Sequence, residues 1–125
     1  MLGVLLVAIG GAIGSVTRYL VGGWFANRFG PAFPYGTAVI NVTGSFIIGL
    51  FLAFAQERVS LSPYWRLFFA VGFLGGYTTF STFEYESVRL LQDGELLLGG
   101  VYLVGSVVAG IVATVSGIAL GSWIT

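Results

Sequence analysis

Residues 72–83 read Gly72, Phe73, Leu74, Gly75, Gly76, Tyr77, Thr78, Thr79, Phe80, Ser81, Thr82, Phe83. Paired glycines followed by four Ser and Thr residues make a poor helix centre. Glycine loses the most backbone entropy on ordering, and Ser and Thr hydroxyls compete for backbone partners. In an otherwise apolar segment this run predicts a helix break around Gly75 to Thr79, near the midplane of a bilayer. Backbone broken at that depth must be buried in protein or satisfied by a ligand. The carbonyls it frees suit a small hard cation such as Na⁺, and the hydroxyls suit an anion. Phe80 and Phe83 are three apart and so stack on one side of the following turn. Two aromatics in a span ordinarily pack or face lipid, but these follow the break directly and interleave with Ser81 and Thr82.

Other polar residues recur at helical spacing inside apolar stretches. Thr37, Asn41 and Ser45 fall every four residues, with Gly44 and Gly49 nearby. Asn41 either makes an interhelical hydrogen bond that sets register or turns its two amide protons toward a watery pathway. Tyr102, Ser106, Gly110 and Thr114 form a second four-residue series, read as a polar track or as packing with hydroxyls bonded back to their own helix. Gly3, Gly10, Gly14 and Arg18 share a face of the first segment. The three glycines suit close helix packing. Arg18 lies near the interface, where it can snorkel or attract an anion. Glu84, Glu86, Arg89, Asp93 and Glu95 read as a mostly solvated loop after the third segment, with Glu84 and Glu86 edging a vestibule.

The elements that must carry these residues follow from composition. The chain has 125 residues, 57% hydrophobic and 8% charged, with five basic residues (all Arg), five acidic ones and neither His nor Cys. A soluble fold of this size cannot hide so much apolar surface. There is no basic surplus for nucleic acid, no thiol chemistry, and no imidazole for general-base or zinc work. These features predict a single all-α transmembrane domain, with four transmembrane helices over residues 2–25, 36–55, 64–83 and 96–124 and the third helix broken. Pro31, Pro34 and Pro63 fall between spans. Trp24, Tyr35, Tyr64, Trp65 and Trp123 fall at span ends, as an aromatic belt requires. The first segment reads as a retained helix: it lacks a charged leader, and its apolar run is too long and glycine-rich for a signal peptide. Asn41-Val42-Thr43 matches a glycosylation acceptor, but it lies mid-span and is rejected.

Four alternating spans place Arg58 and Arg66 on one side and Arg28 and Arg89 on the other. The positive-inside rule then gives almost no orientation preference. Either another factor sets one topology, or copies insert both ways and pair antiparallel. Four short helices scarcely enclose a pathway, so a dimer is also expected on size.

Proton-coupled transport normally needs a carboxylate within the membrane, and the first, second and fourth spans have none. The polar lining is Asn amide, Ser, Thr and Tyr hydroxyls and aromatic rims, all able to present positive partial charge. It suits passive movement of a small hard anion. A small multidrug exporter would carry a Glu in the first span, where this chain has Arg18. An assembly subunit held by Gly and Ser packing would not explain the break. A lipid-modifying enzyme would need paired carboxylates, His or a metal cluster at membrane depth, so no enzyme is expected.

The run Gly72–Phe83 resembles the signature of the Fluc (CrcB) fluoride channel family. So do Gly36-Thr37, Asn41 and Gly44, and the stretch from Gly11 to Arg18. The resemblance covers essentially the whole chain. It implies an antiparallel, dual-topology homodimer in the cell (inner or plasma) membrane, passively exporting F⁻ along two pathways and so reducing fluoride toxicity. By position it implies that Phe80 and Phe83 contact fluoride through their ring edges and that Asn41 donates on the pathway. Ser81 and Thr82 would flank the pathway or the break, and Tyr102, Ser106 and Thr114 would form the polar track, in which the family can carry a hydroxyl where this chain has Gly110. Gly75 and Thr78 would offer backbone carbonyls to a structural Na⁺ at the dimer interface. Arg18 would lie in an aqueous vestibule and Glu86 near the other mouth. The implied partners are fluoride, a second copy and membrane lipid.

Overall fold

A computed structural model describes residues 1–58 and 60–125. Among the described residues every regular element is helical: α1 (Leu2–Phe29), α2 (Tyr35–Gln56), α3 (Pro63–Trp65), a π-helical stretch (Arg66–Leu74), α4 (Gly75–Tyr77), α5 (Phe80–Gln92) and α6 (Leu96–Trp123). Lipid offers no hydrogen bonds, so apolar segments satisfy their backbone internally as helix. Three helices, α1, α2 and α6, are long and apolar enough to cross a membrane.

Local chemistry sets the ends. Ser62 accepts from the Tyr64 N–H and Pro63 opens α3, where its missing N–H costs nothing. Gly30 ends α1 at φ 78°, a left-handed conformation that suits glycine. The first helix therefore runs past residue 25 to Phe29.

Two tight helix contacts build the body. The glycine face of α1 packs on the π-helical stretch: Gly10 lies against the Phe68 carbonyl, Gly14 against the Phe73 carbonyl, and Gly76 of α4 against Gly11. On the other side α2 packs on α6, with Gly49 against the Thr114 carbonyl and Gly117 against the Phe46 carbonyl. With little hydrophobic drive between helices in lipid, such backbone-on-backbone approach supplies the dispersion that holds them.

The segment after Leu61 is where the sequence reading needs correction. Its first half is π-helical rather than α-helical, a wider i→i+5 winding. Phe69, Phe73 and Tyr77, at four-residue steps along the segment, stack with centroids 5.5 and 5.9 Å apart and planes within 4° and 12°. The helix breaks at Thr78 and Thr79, both extended, inside the expected stretch. It then resumes through Gln92, so Glu84, Glu86 and Arg89 stand on α5 and not in a loop. The loop reading followed the charges. The helix continues because Phe83, Ser87 and Leu90 repeat at helical spacing and bury against α6 and its neighbours.

Candidate functional site

The break leaves backbone groups that α1 and α2 satisfy with side chains. The Asn41 carboxamide pairs with both polar groups of Thr79: its Oδ1 accepts the Thr79 N–H at 2.9 Å, and its Nδ2 donates to the Thr79 carbonyl at 3.0 Å. One of its two amide protons is used and one remains. Arg18 Nε donates to the Gly76 carbonyl at 3.0 Å. The Thr79 side chain caps α5, accepting from the Thr82 N–H at 3.4 Å and donating to Thr82 Oγ1 at 3.0 Å.

These diversions release two carbonyls. In an unbroken α-helix the Thr79 N–H would bond to the Gly75 carbonyl and the Thr82 N–H to the Thr78 carbonyl. Here Asn41 takes the first and the Thr79 hydroxyl takes the second. Neutral carbonyl oxygens on neighbouring turns are the donor type a hard monovalent cation accepts. Among the described residues there is no cluster of three His, Cys, Asp or Glu side chains that could hold a metal ion.

Two cavities meet at the break. An open groove of about 550 Å³ is lined by Asn41, Ser45, Gly75, Thr78, Thr79, Phe80, Phe83, Ser106, Gly110 and Thr114 and by aliphatic side chains, with no ionisable residue. A larger cavity of about 910 Å³ at the end bearing the first and third loops is lined by Arg18, Thr37, Thr82, Glu86, Arg89 and Asp93 among others. Thr79 lines both. Phe80 is 70% exposed along the groove, whereas Phe83 is 7% exposed and meets Tyr102 edge-on at 5.1 Å. The Phe80 and Phe83 rings are 6.1 Å apart and tilted by 49°, not stacked.

Several expected residues occupy other places. Ser81 is exposed and lines neither cavity. Tyr102 is 1% exposed and lies behind the groove, donating its hydroxyl to Glu86 Oε1 at 2.8 Å. Thr37 donates to Glu86 Oε2 at 3.1 Å, so both carboxylate oxygens are held. Glu86 and Arg18 line the same cavity within one chain, not opposite mouths. The reason is connectivity: α1 approaches the first loop as α5 approaches the third, and those loops share an end. Thr114 donates back to the Gly110 carbonyl at 2.9 Å, which leaves its hydroxyl oxygen as an acceptor. Thr79 was missed as a site residue, although its neighbours marked the break.

Asn41→Ala would strand the N–H and carbonyl of Thr79 together. An unmet buried polar group costs about 1–3 kcal/mol. The expected result is a clear fall in the melting temperature of detergent-solubilised protein; an unchanged melting curve would show that Asn41 does not hold the break.

A family profile described as CrcB-like protein, Camphor Resistance (CrcB), matches residues 5–118. The chain belongs to the CrcB family. Its sequence is similar to that of the fluoride-specific ion channel FluC of Rhizobium meliloti, with 50% identity over 117 residues covering 94% of each chain. It is 49% identical over 118 residues to the protein of that name from Acidobacterium capsulatum, again covering 94% of each chain. For Chloroflexus aurantiacus the figures are 50% over 120 residues, covering 96% of this chain and 95% of the relative. With its three long apolar helices, this CrcB chain is a multi-pass membrane protein.

Proposed function

We propose that the chain is a passive fluoride-selective channel, not an enzyme, that exports F⁻ from the cell across its plasma (inner) membrane. The observation that carries this is a groove of uncharged N–H and O–H dipoles and ring edges, without a carboxylate, that meets a polar vestibule at Thr79. A pathway without a titratable group at its centre moves an ion down its gradient and has no site at which to couple a proton.

Fluoride is strongly hydrated, and a bare ion in low dielectric costs on the order of tens of kcal/mol. No single ligand here replaces its water. The remaining Asn41 proton and the Ser45 and Ser106 hydroxyls offer successive donors, while the rims of Phe80 and Phe83 offer weaker positive edges between them. Ser81 and Thr82 flank the break, and Tyr102 serves the pathway through Glu86, whose carboxylate it fixes. Arg18 raises anion concentration at the vestibule, where Glu86 opposes it and favours release.

The groove is open along one side of a single chain, and Phe80 stands out of it. A second copy, inverted, closes it and gives two pathways per dimer. The broken segment Pro63–Gln92 then serves as a fourth crossing. The balanced Arg count supports insertion of copies in both orientations. In that dimer Gly75 and Thr78 of each copy would turn their released carbonyls to a Na⁺ on the shared axis. When bound, the ion supplies positive charge that ties the two breaks together.

The test is purified protein in liposomes loaded with fluoride or chloride and made permeable to K⁺, with halide release read by electrode. Fluoride should leave and chloride should stay. Chloride released as readily as fluoride would overturn the assignment.

A further inference from the structure

The break is gripped by α2 from two sides, and only one grip touches the groove. Asn41 holds Thr79 after the break. Before it, the hydroxyl of Tyr77, which is 8% exposed, lies 2.9 Å from Thr43 Oγ1. The proton in that contact can be assigned. Thr43 has one hydroxyl proton, and its Oγ1 lies 2.6 Å from the Val39 carbonyl of its own helix. That proton is spent there, so Tyr77 donates and Thr43 accepts. Between the two grips the Thr78 methyl lies over Gly44, where an added Cβ would force it to shift. The Tyr77 ring is also the last in the stack with Phe69 and Phe73, which Phe51 of α2 joins from the side at 5.0 Å from Phe69.

We propose that the Tyr77–Thr43 hydroxyl pair is the positioning lock of the pathway. It fixes the height and rotation of the first half of the broken segment against α2, and neither residue lines the groove. The argument is geometric. The glycine contacts and Arg18 hold the half-helix to α1; toward α2, a clamp at Thr79 alone leaves it a pivot about that point. A second clamp two residues earlier, from the same rigid helix, removes the pivot. It thereby sets where the Gly75 and Thr78 carbonyls and the Phe80 ring stand. Sites of this kind fail when the supporting contacts are loose by as little as about 1 Å. In its effect on conduction the proposal rests on the fluoride-channel reading, but the positional claim has its own readout.

The experiment compares Tyr77→Phe, Thr43→Val, Thr43→Ser and the Tyr77→Phe, Thr43→Val double variant. Fluoride efflux is measured per folded protein recovered by size exclusion, and amide hydrogen exchange is followed by mass spectrometry over peptides containing Thr78 to Phe80. Tyr77→Phe should slow efflux about tenfold, the scale of one lost net hydrogen bond, and should speed exchange at the break. Thr43→Val should do at least as much, because it also orphans the buried Tyr77 hydroxyl. The double variant should match Tyr77→Phe and not multiply the two effects, since both remove one interaction. Thr43→Ser, which keeps the acceptor, should conduct as the parent does. Unchanged exchange in Tyr77→Phe overturns the lock whatever the parent conducts. Parent-like efflux from Tyr77→Phe, or single effects that multiply, would also overturn it. A parent that releases no fluoride defeats the channel reading instead, and exchange still decides the lock.

Discussion

Liposomes carrying the Phe80→Ile, Phe83→Ile double variant should release fluoride about a hundredfold more slowly than those carrying the parent chain. The isoleucines keep the site apolar and remove the ring quadrupoles. If each rim supplies about 1.5 kcal/mol to the ion at its least hydrated point, two rims account for about 3 kcal/mol, or roughly two decades in rate. The two positions differ in their side effects. Phe83 is buried against Tyr102, so shortening it leaves a gap in the core and some loss of stability. Phe80 is largely exposed within one chain, so Phe80→Ile tests the ring with the least disturbance. Efflux should be scored on protein that still elutes as the parent does. Parent-like release from both single variants would remove the phenyl rings from the pathway.

The second large effect concerns folding. Gly14→Ala should abolish accumulation of folded protein, because the new methyl would collide with the Phe73 carbonyl. The obstacle is backbone on backbone, so no side chain can swing aside. α1 must move off the π-helical stretch, and Gly10 loses its contact with the Phe68 carbonyl in the same motion. Overpacking typically costs about 1–3 kcal/mol even where side chains can adjust, and here they cannot. Gly23→Ala on the same helix is the control: a methyl there meets nothing within 4 Å. It should be neutral or stabilise slightly, since alanine loses less entropy than glycine in a helix. Yield and thermal melting in detergent measure both. A Gly14→Ala protein as stable as Gly23→Ala would show that this face does not hold the fold.

Much of this molecule is legible in one dimension. The long apolar stretches become helices because lipid leaves the backbone no other partner, a requirement that depends only on local composition. The stripe Gly3, Gly10, Gly14 could be recognised as a packing face because helical periodicity alone aligns those positions. The break within Gly75 to Thr79 was visible for a similar reason: paired glycines and a run of hydroxyls weaken the helix wherever they occur.

What the chain does with the broken ends is a different kind of information. That Asn41 closes on Thr79, that Arg18 reaches Gly76, and that Thr37 and Tyr102 hold Glu86 depends on the rotation and height of one helix against another. No periodicity within a single segment encodes that relation. The π-helical winding belongs here too, as does the stack of Phe69, Phe73 and Tyr77, which meets α2 at Phe51 and Thr43. Composition and spacing determined that the protein would be helical, embedded in lipid, and interrupted once among its hydroxyls. Only the tertiary structure decided which backbone groups that interruption would leave free, because the bonds from Asn41 and Arg18 that settle it are made across helices, between residues up to 58 positions apart.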